Sequence, residues 1–223
     1  MLNKKIKNLI LIILIIMISS FPKSSAASLP LTGIIITIDP GHGGRDPGTY
    51  YNNIKEKDLN LAISLKLEKE LLSNGATVYL TRRSDIDLSS IYDSKKKRGD
   101  LYRRLLLIKE NKSNLYLSIH INWYPNNSYK GAEVLYNKIN PNNQKIAEMI
   151  MREFKKNLNI TRNIHETDLY MYKNTTIPGV LVECGYLSNY EERQKLITEK
   201  YQENLSKTLT KGIINYFNTI EKN

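Results

Sequence analysis

The chain has 223 residues, 41% of them hydrophobic and 25% charged, with a formal net charge of +11 at pH 7. That length holds one domain with a substantial core, alone or behind an N-terminal address, and the single cysteine, Cys184, excludes an intramolecular disulfide. The basic charge would suit an anionic partner such as nucleic acid, a membrane surface or a teichoic-acid wall, but Lys and Arg are scattered and no basic–aromatic nucleic-acid motif occurs, so the charge is read as solubility.

The first 27 residues read as an address. Lys4, Lys5 and Lys7 precede an unbroken apolar run from Leu9 to Ile18, Ser19-Ser20-Phe21-Pro22 ends it, and Ser25-Ala26-Ala27 supplies small residues for cleavage. This is the pattern of a secretory signal peptide. The run falls short of the ~20 residues of a comfortable membrane span, although retention as an uncleaved anchor stays open. No lipobox cysteine is present. The expected organisation is a signal peptide or anchor over 1–27 and one catalytic domain over 28–223. The product is exported, touches a membrane only through its N-terminal segment and has no nucleic-acid partner.

The mature chain opens with the β-branched run Ile34 to Ile38, a buried strand, which Asp39-Pro40-Gly41 is expected to end because Pro40 has no N–H for a ladder. His42 follows among Gly41, Gly43 and Gly44. Asn53-Ile54-Lys55-Glu56 leads into a helix with Leu59, Ile63, Leu67 and Leu71 at helical spacing, stopped by Asn74-Gly75. Ala76 to Leu80 is a second strand. A polar stretch ending in Lys95-Lys96-Lys97-Arg98 reads as a mobile surface loop, and Asp100 as the cap of a helix through Leu101, Leu105 and Ile108.

Strands are then expected over Leu115–Ile119, Ala132–Tyr136, Asp168–Tyr172 and Val180–Glu183, with helices over Asn142–Leu158 and Tyr201–Ile220. A Ser188-to-Glu191 capping box should open one more helix. Alternating strands and helices predict an α/β fold, a single three-layer domain with a mixed, mostly parallel sheet and helices on both faces.

His42 and His120 each follow an Ile-rich strand, and ligand sites in open α/β sheets gather at the carboxyl ends of strands. Two such histidines can share one metal ion, and His₂Glu is a usual set for catalytic zinc. Glu56, on the buried face of its helix, is one candidate for the carboxylate. Asn53-x-x-Glu56 equally resembles a capping box, and Asp39 and Asp46 are rivals by proximity to His42. Glu183 ends a buried strand and needs either an Arg partner or a chemical task, such as general base in metal-assisted hydrolysis. Cys184 reads as a packing residue and His165 as a surface residue.

Four segments in order, Asp39-Pro40-Gly41-His42-Gly43-Gly44, Glu56, Ser118-Ile119-His120-Ile121-Asn122 and Val182-Glu183-Cys184-Gly185-Tyr186-Leu187-Ser188-Asn189, resemble the motifs of the zinc-dependent N-acetylmuramoyl-L-alanine amidases. The resemblance implies one Zn²⁺ per chain held by His42, Glu56 and His120, with Glu183 catalytic, and hydrolysis of the amide between N-acetylmuramic acid and L-alanine in peptidoglycan. Ser28 to Gly33, Asp100-Leu101, Arg104 and Ile121 are most similar to the small germination-specific members of spore-formers. These trim stem peptides from muramic acid in spore cortex so that a deacetylase partner can form muramic-δ-lactam; an accessory or activating protein is a further expected partner. Asp46-Pro47-Gly48-Thr49-Tyr50 departs from the family pattern. Another secreted zinc hydrolase, a peptidase or sugar deacetylase, and a non-catalytic wall-binding protein are the alternatives. The linker from Trp123 to Gly131 is too short and turn-rich for a covering helix, which predicts an open site.

Overall fold

The computed structural model describes residues 28–220, together with Asn3 and Ile6. Apart from those two, the residues of the expected signal peptide or anchor therefore lie outside the described ones. Among those described, no helix is long and apolar enough to cross a membrane.

The first strand, Ile35–Pro40 (β1), continues through the proline expected to end it. Pro40 still lies in register with Ile119. A missing N–H is tolerated at a strand's last position, and the Pro40 carbonyl accepts from Arg82 and Arg104. A two-residue hairpin, Tyr50–Tyr51 (β2) with Ile54–Lys55 (β3), then feeds helix Glu56–Ser73 (α1). Lys55 is the N-cap and supplies no side-chain bond, so the Asn53–Glu56 capping box does not form. The helix ends at Asn74, as its sequence predicts.

After Thr77–Leu80 (β4), helix Lys96–Glu110 (α2) starts four residues before the expected cap. Asp100 is inside it, with its carboxylate turned to Leu88 N and Arg104 Nε. The loop between them is shorter than expected and tied down, Asp85 by Lys57, Asp87 by Arg45 and Asp93 by Arg103.

Leu115–Asn122 (β5), Glu133–Tyr136 (β6) and helix Pro141–Leu158 (α3) follow close to expectation. The strand predicted at 168–172 is instead the short helix Tyr170–Lys173 (α4), and the sheet edge is taken by Ile164–Glu166 (β7). The reason is tertiary: Met171 is drawn into the small core formed with Leu105, Ile108 and Tyr116. Gly179–Tyr186 (β8) precedes helices Tyr190–Leu196 (α5) and Glu199–Ile220 (α6). The α5 cap is Asn189, whose side chain accepts Glu192 N, one residue later than the expected Ser188 cap.

The six-stranded sheet has the order β4-β1-β5-β8-β6-β7 and is parallel except between β6 and β8. One face buries Ile36, Ile38, Leu117, Ile119, Val180 and Val182 against apolar residues of α1, α3 and α6. The other is covered near its centre by α2 and α4. The chain leaves β1 toward β4 on one side and returns to β5 on the other, so the topological switch point lies at the carboxyl ends of β1 and β5. Toward those ends the second face carries Asp39, Ser118, His120 and Glu183 in place of apolar residues.

Helices α3 and α6 meet at Gly212, where a Cβ would come 2.7 Å from the Cα of Ile150. Gly212→Ala is therefore expected to destabilise the fold. Overpacking against backbone costs about 1–3 kcal/mol, which outweighs the roughly 1 kcal/mol that alanine contributes in a helix. A lowered denaturant midpoint is the expected measurement.

Candidate metal centre

The site begins where β1 ends. His42 sits in the left-handed region at φ 60°, an uncommon conformation for a side chain of its size. Two buried arginines hold this turn from beneath. Arg104 Nη1 donates to Asp39 Oδ1 at 2.8 Å and Pro40 O at 2.7 Å, its Nη2 to His42 O at 2.6 Å and its Nε to Asp100 at 2.7 Å. Arg82 donates to the carbonyls of Pro40, Gly41, Ser84 and Lys57.

Burial pushes the Asp39 carboxyl up, but Arg104 and the hydroxyls of Thr81 and Ser118 override this and hold it below its usual range. Burial, then repulsion from Arg104, pulls Arg82 down to about 10, still charged at neutral pH. Asp39 is thus consumed by the clamp and does not belong to the group whose ligand atoms converge, His42, Glu56 and His120.

Glu56, the first residue of α1, lies between those rings. Its Oε1 is 3.2 Å from His42 Nε2 and 3.0 Å from His120 Nδ1, and accepts Ile121 N and Asn60 Nδ2. Its Oε2 accepts Thr49 N at 2.8 Å. The unusual 46–50 segment thus orients Glu56 through backbone alone. Burial works against the carboxylate, and the hydrogen bonds from His120 and His42 more than reverse this, holding its pKa well down. For His42, burial lowers the pKa, but Glu56 and then Asp46 raise it overall. Asp46 faces the other ring nitrogen, Nδ1, at 2.9 Å, and so fixes the ring's orientation.

The two rings stand 5.0 Å apart at 78°. They can approach because residue 41 is glycine: a Cβ there would lie 2.3 Å from the His120 ring. Ligand atoms of His42, Glu56 and His120 all fall within 4.8 Å of one another. Two imidazoles and a carboxylate converging at a switch point fit a divalent metal of the zinc type. A cation among them would displace the ring protons that the carboxylate now accepts.

Glu183 is the neighbour of His120 across the β5–β8 pair. Its Oε2 is buried without a hydrogen-bond partner. Burial, then the charges of Glu56 and Glu133, pushes its pKa well above the carboxylate range. Among the described residues no arginine pairs with it. The nearby guanidinium, Arg162, goes to Glu133, the cross-strand partner of Glu183 on β6, and Tyr186 Oη also donates to Glu133 at 3.0 Å. Cys184 is buried in the core, as expected of a packing residue. His165 is largely exposed, 3.6 Å from Glu133. A cavity of about 170 Å³ opens beside both histidine rings, lined in part by Leu101, Leu169, Met171 and Leu181. Residues 123–131 form turns and no helix, and none of them lines that cavity.

Four supporting residues escape a reading by motif: Asp46 as orienting group, the Arg82 clamp, Asn60 and Glu133. Asn60 carried a signal, a polar residue among Leu59 and Ile63 on the buried face of α1. Glu133 carried a similar one, an acid at the head of an otherwise apolar strand.

A three-layer α/β sandwich with convergent imidazoles and carboxylates at its switch point is the frame of a hydrolase. The chain belongs to the N-acetylmuramoyl-L-alanine amidase family, whose profile matches residues 36–215. It is 40% identical over 195 residues to the germination-specific N-acetylmuramoyl-L-alanine amidase of Bacillus subtilis, covering 85% of this chain and 82% of that protein. The CwlD amidase of Clostridioides difficile, solved in complex with the GerS lipoprotein, superposes with a TM-score of 0.80 at 35% identity, over 83% of this chain and 99% of that one. The catalytic domain of the amidase CwlV from Bacillus (Paenibacillus) polymyxa gives 0.73 at 30%, over 83% and 98%. The protein is an N-acetylmuramoyl-L-alanine amidase acting on peptidoglycan, and the peptidase, deacetylase and wall-binding alternatives are not favoured.

Removing Arg104 strands Asp39 in the interior. Arg104→Met is expected to cost about 3–5 kcal/mol, the range for breaking a buried pair from one side. Arg104→Lys should cost less, since it keeps the charge but not the planar fork. Urea unfolding of both variants measures the difference.

Proposed function

We propose that this amidase is a zinc enzyme with His42, Glu56 and His120 as ligands and Glu183 as general base and acid. We further propose that it trims stem peptides from muramic acid in spore cortex. The observation that carries the mechanism is Glu183 Oε2, a buried, unpartnered carboxyl oxygen on the strand beside His120.

His42, Glu56 and His120 would hold a zinc ion, which would supply Lewis acidity toward a carbonyl and a lowered water pKa of ~7. The protein's own groups do the rest. His42, kept in orientation by Asp46, and His120, packed on Gly41, present ring nitrogens to one point. Glu183 takes the proton of the attacking water as the C–O bond forms. It returns that proton to the alanine nitrogen as the C–N bond breaks, leaving a lactyl carboxylic acid and a free amine, between which the remaining proton then passes to give carboxylate and ammonium. Burial, then the charges of Glu56 and Glu133, favours the protonated form of Glu183 needed in the second half.

The cortex assignment is supported by the likeness to the germination-specific enzyme. Export by residues 1–27, to the cell wall or the space around the forespore, follows from their signal-like sequence. The solved CwlD–GerS complex supports an accessory protein as partner. With no helix in residues 123–131 to cover the centre, control falls to expression timing, export or such a partner. A partner that binds the zinc-competent fold raises metal affinity by linkage.

Two measurements test this. His42→Ala and His120→Ala should each lose the metal, which elemental analysis of the purified protein reads; stoichiometric zinc in either variant refutes the ligand set. Glu183→Gln should keep zinc and fold while losing activity on the order of 10²-fold or more, because an amide cannot accept the proton. Free stem peptides released from purified peptidoglycan are the readout, and near-normal release moves the base elsewhere.

A further inference from the structure

Large aromatic side chains stand exposed along one margin of the centre: Tyr51 at 42%, Trp123 at 48%, Tyr124 at 46% and Tyr190 at 68%. Single exposed rings need no account, but a gathered set marks a binding surface. These four come from three separate segments that two polar side chains tie together. Arg193 donates to the carbonyls of Leu187 at 2.7 Å and Ser188 at 3.3 Å. Its guanidinium lies 3.6 Å from the centre of the Tyr51 ring and 5.6 Å from that of Tyr190. Ser188 Oγ accepts Tyr124 N at 3.2 Å, and the Tyr124 ring rests on Tyr129 with centroids 4.4 Å apart. The Ser188 position, singled out in the sequence and unused by the chemistry, is part of this junction.

The margin is continuous with the reacting centre. Trp123 follows His120 by three residues, and its N–H is held by Asn122 Oδ1 at 2.8 Å. Tyr51 belongs to the hairpin leading into Glu56, and nearby Thr49 both donates to the Glu56 carboxylate and accepts from Glu56 N. The lactyl ether joins the scissile carbonyl to a sugar ring, so one pyranose necessarily lies beside the site and its neighbours extend along the surface.

We propose that this margin is the glycan subsite, a stacking platform for the uncharged N-acetylated pyranose rings of the substrate strand. The proposal rests on the amidase activity and names the side chains that hold the polymer. A pyranose presents a face of C–H groups, which suits the electron-rich face of an aromatic ring. Tyr51 and Tyr124 are already packed on one side, so little freedom is lost on binding. The guanidinium of Arg193 is committed beneath the rings and to backbone carbonyls, and the exposed ammonium of Lys130 nearby is paired with Glu191, so neither is offered first to an anionic ligand.

The test compares Tyr51→Ala, Trp123→Ala and Tyr190→Ala with Tyr92→Ala, an exposed ring on the loop before α2. All are checked for zinc content and melting temperature. Two substrates are used, long peptide-bearing glycan strands and a single muramoyl-peptide, together with co-sedimentation on peptide-free N-acetylated strands. Each margin variant should lower kcat/KM on strands about five-fold or more, lose less on the single muramoyl-peptide, and bind peptide-free strands more weakly. Tyr92→Ala should do none of these. Equal losses on both substrates, or unchanged strand binding, overturn the subsite. Unchanged strand kinetics with lost stimulation by extract of the native cell also overturn it, in favour of a protein-docking face. A wild-type enzyme that cleaves neither substrate counts against the amidase activity itself, while the peptide-free binding assay still decides the subsite.

Discussion

A buried ion pair beneath the first turn carries the geometry of the centre. Arg104 has almost no solvent exposure, and its guanidinium meets Asp39, Asp100 and two backbone carbonyls. Such a pair is not a strong source of net stability, because desolvation consumes much of the attraction. Its value here is directional. A planar fork with fixed donors determines where the carbonyls of Pro40 and His42 point, and so where the His42 ring stands. Arg82 repeats the device on the Gly41 carbonyl from the side of β4.

The two arginines also explain how a polar turn can sit under a sheet end without unpaired carbonyls. The strand continues to Pro40, whose missing N–H is harmless there and whose oxygen is doubly used. The same turn then offers a glycine where the His120 ring packs. Backbone, clamp and ring contact are one arrangement, and it exists because β1 and β5 are adjacent at the switch point of the sheet.

Across the sheet ends the carboxylates divide by environment. Glu56 is surrounded by donors and stays ionised, whereas Glu183 has neither donor nor cation on its inner oxygen and sits beside Glu133. Two glutamates in one cleft, pushed in opposite directions, suit the separate tasks proposed for them, ligand and proton carrier. The sandwich fold alone would not distinguish these tasks.

Much of this was legible in the chain. The alternation of apolar runs predicted a three-layer α/β domain with a mostly parallel sheet, and the β-branched runs located both histidines at strand ends. What periodicity could not reach were features set by partners far along the chain. The β2–β3 hairpin has no apolar pattern, α2 begins in a lysine run, and 170–173 coils because Met171 has a small core to enter. The choice among Asp39, Asp46 and Glu56 was likewise open in the spacing, since all three are acids near a histidine, and only the resemblance to the amidase motifs implied Glu56. Only the tertiary structure assigns Asp39 to an arginine 65 residues away, Asp46 to the outer nitrogen of His42, and Glu56 to a histidine 64 residues away. The physical reason is that local sequence sets a residue's face and backbone angle, whereas hydrogen-bond partners are decided by which segments the sheet order brings side by side.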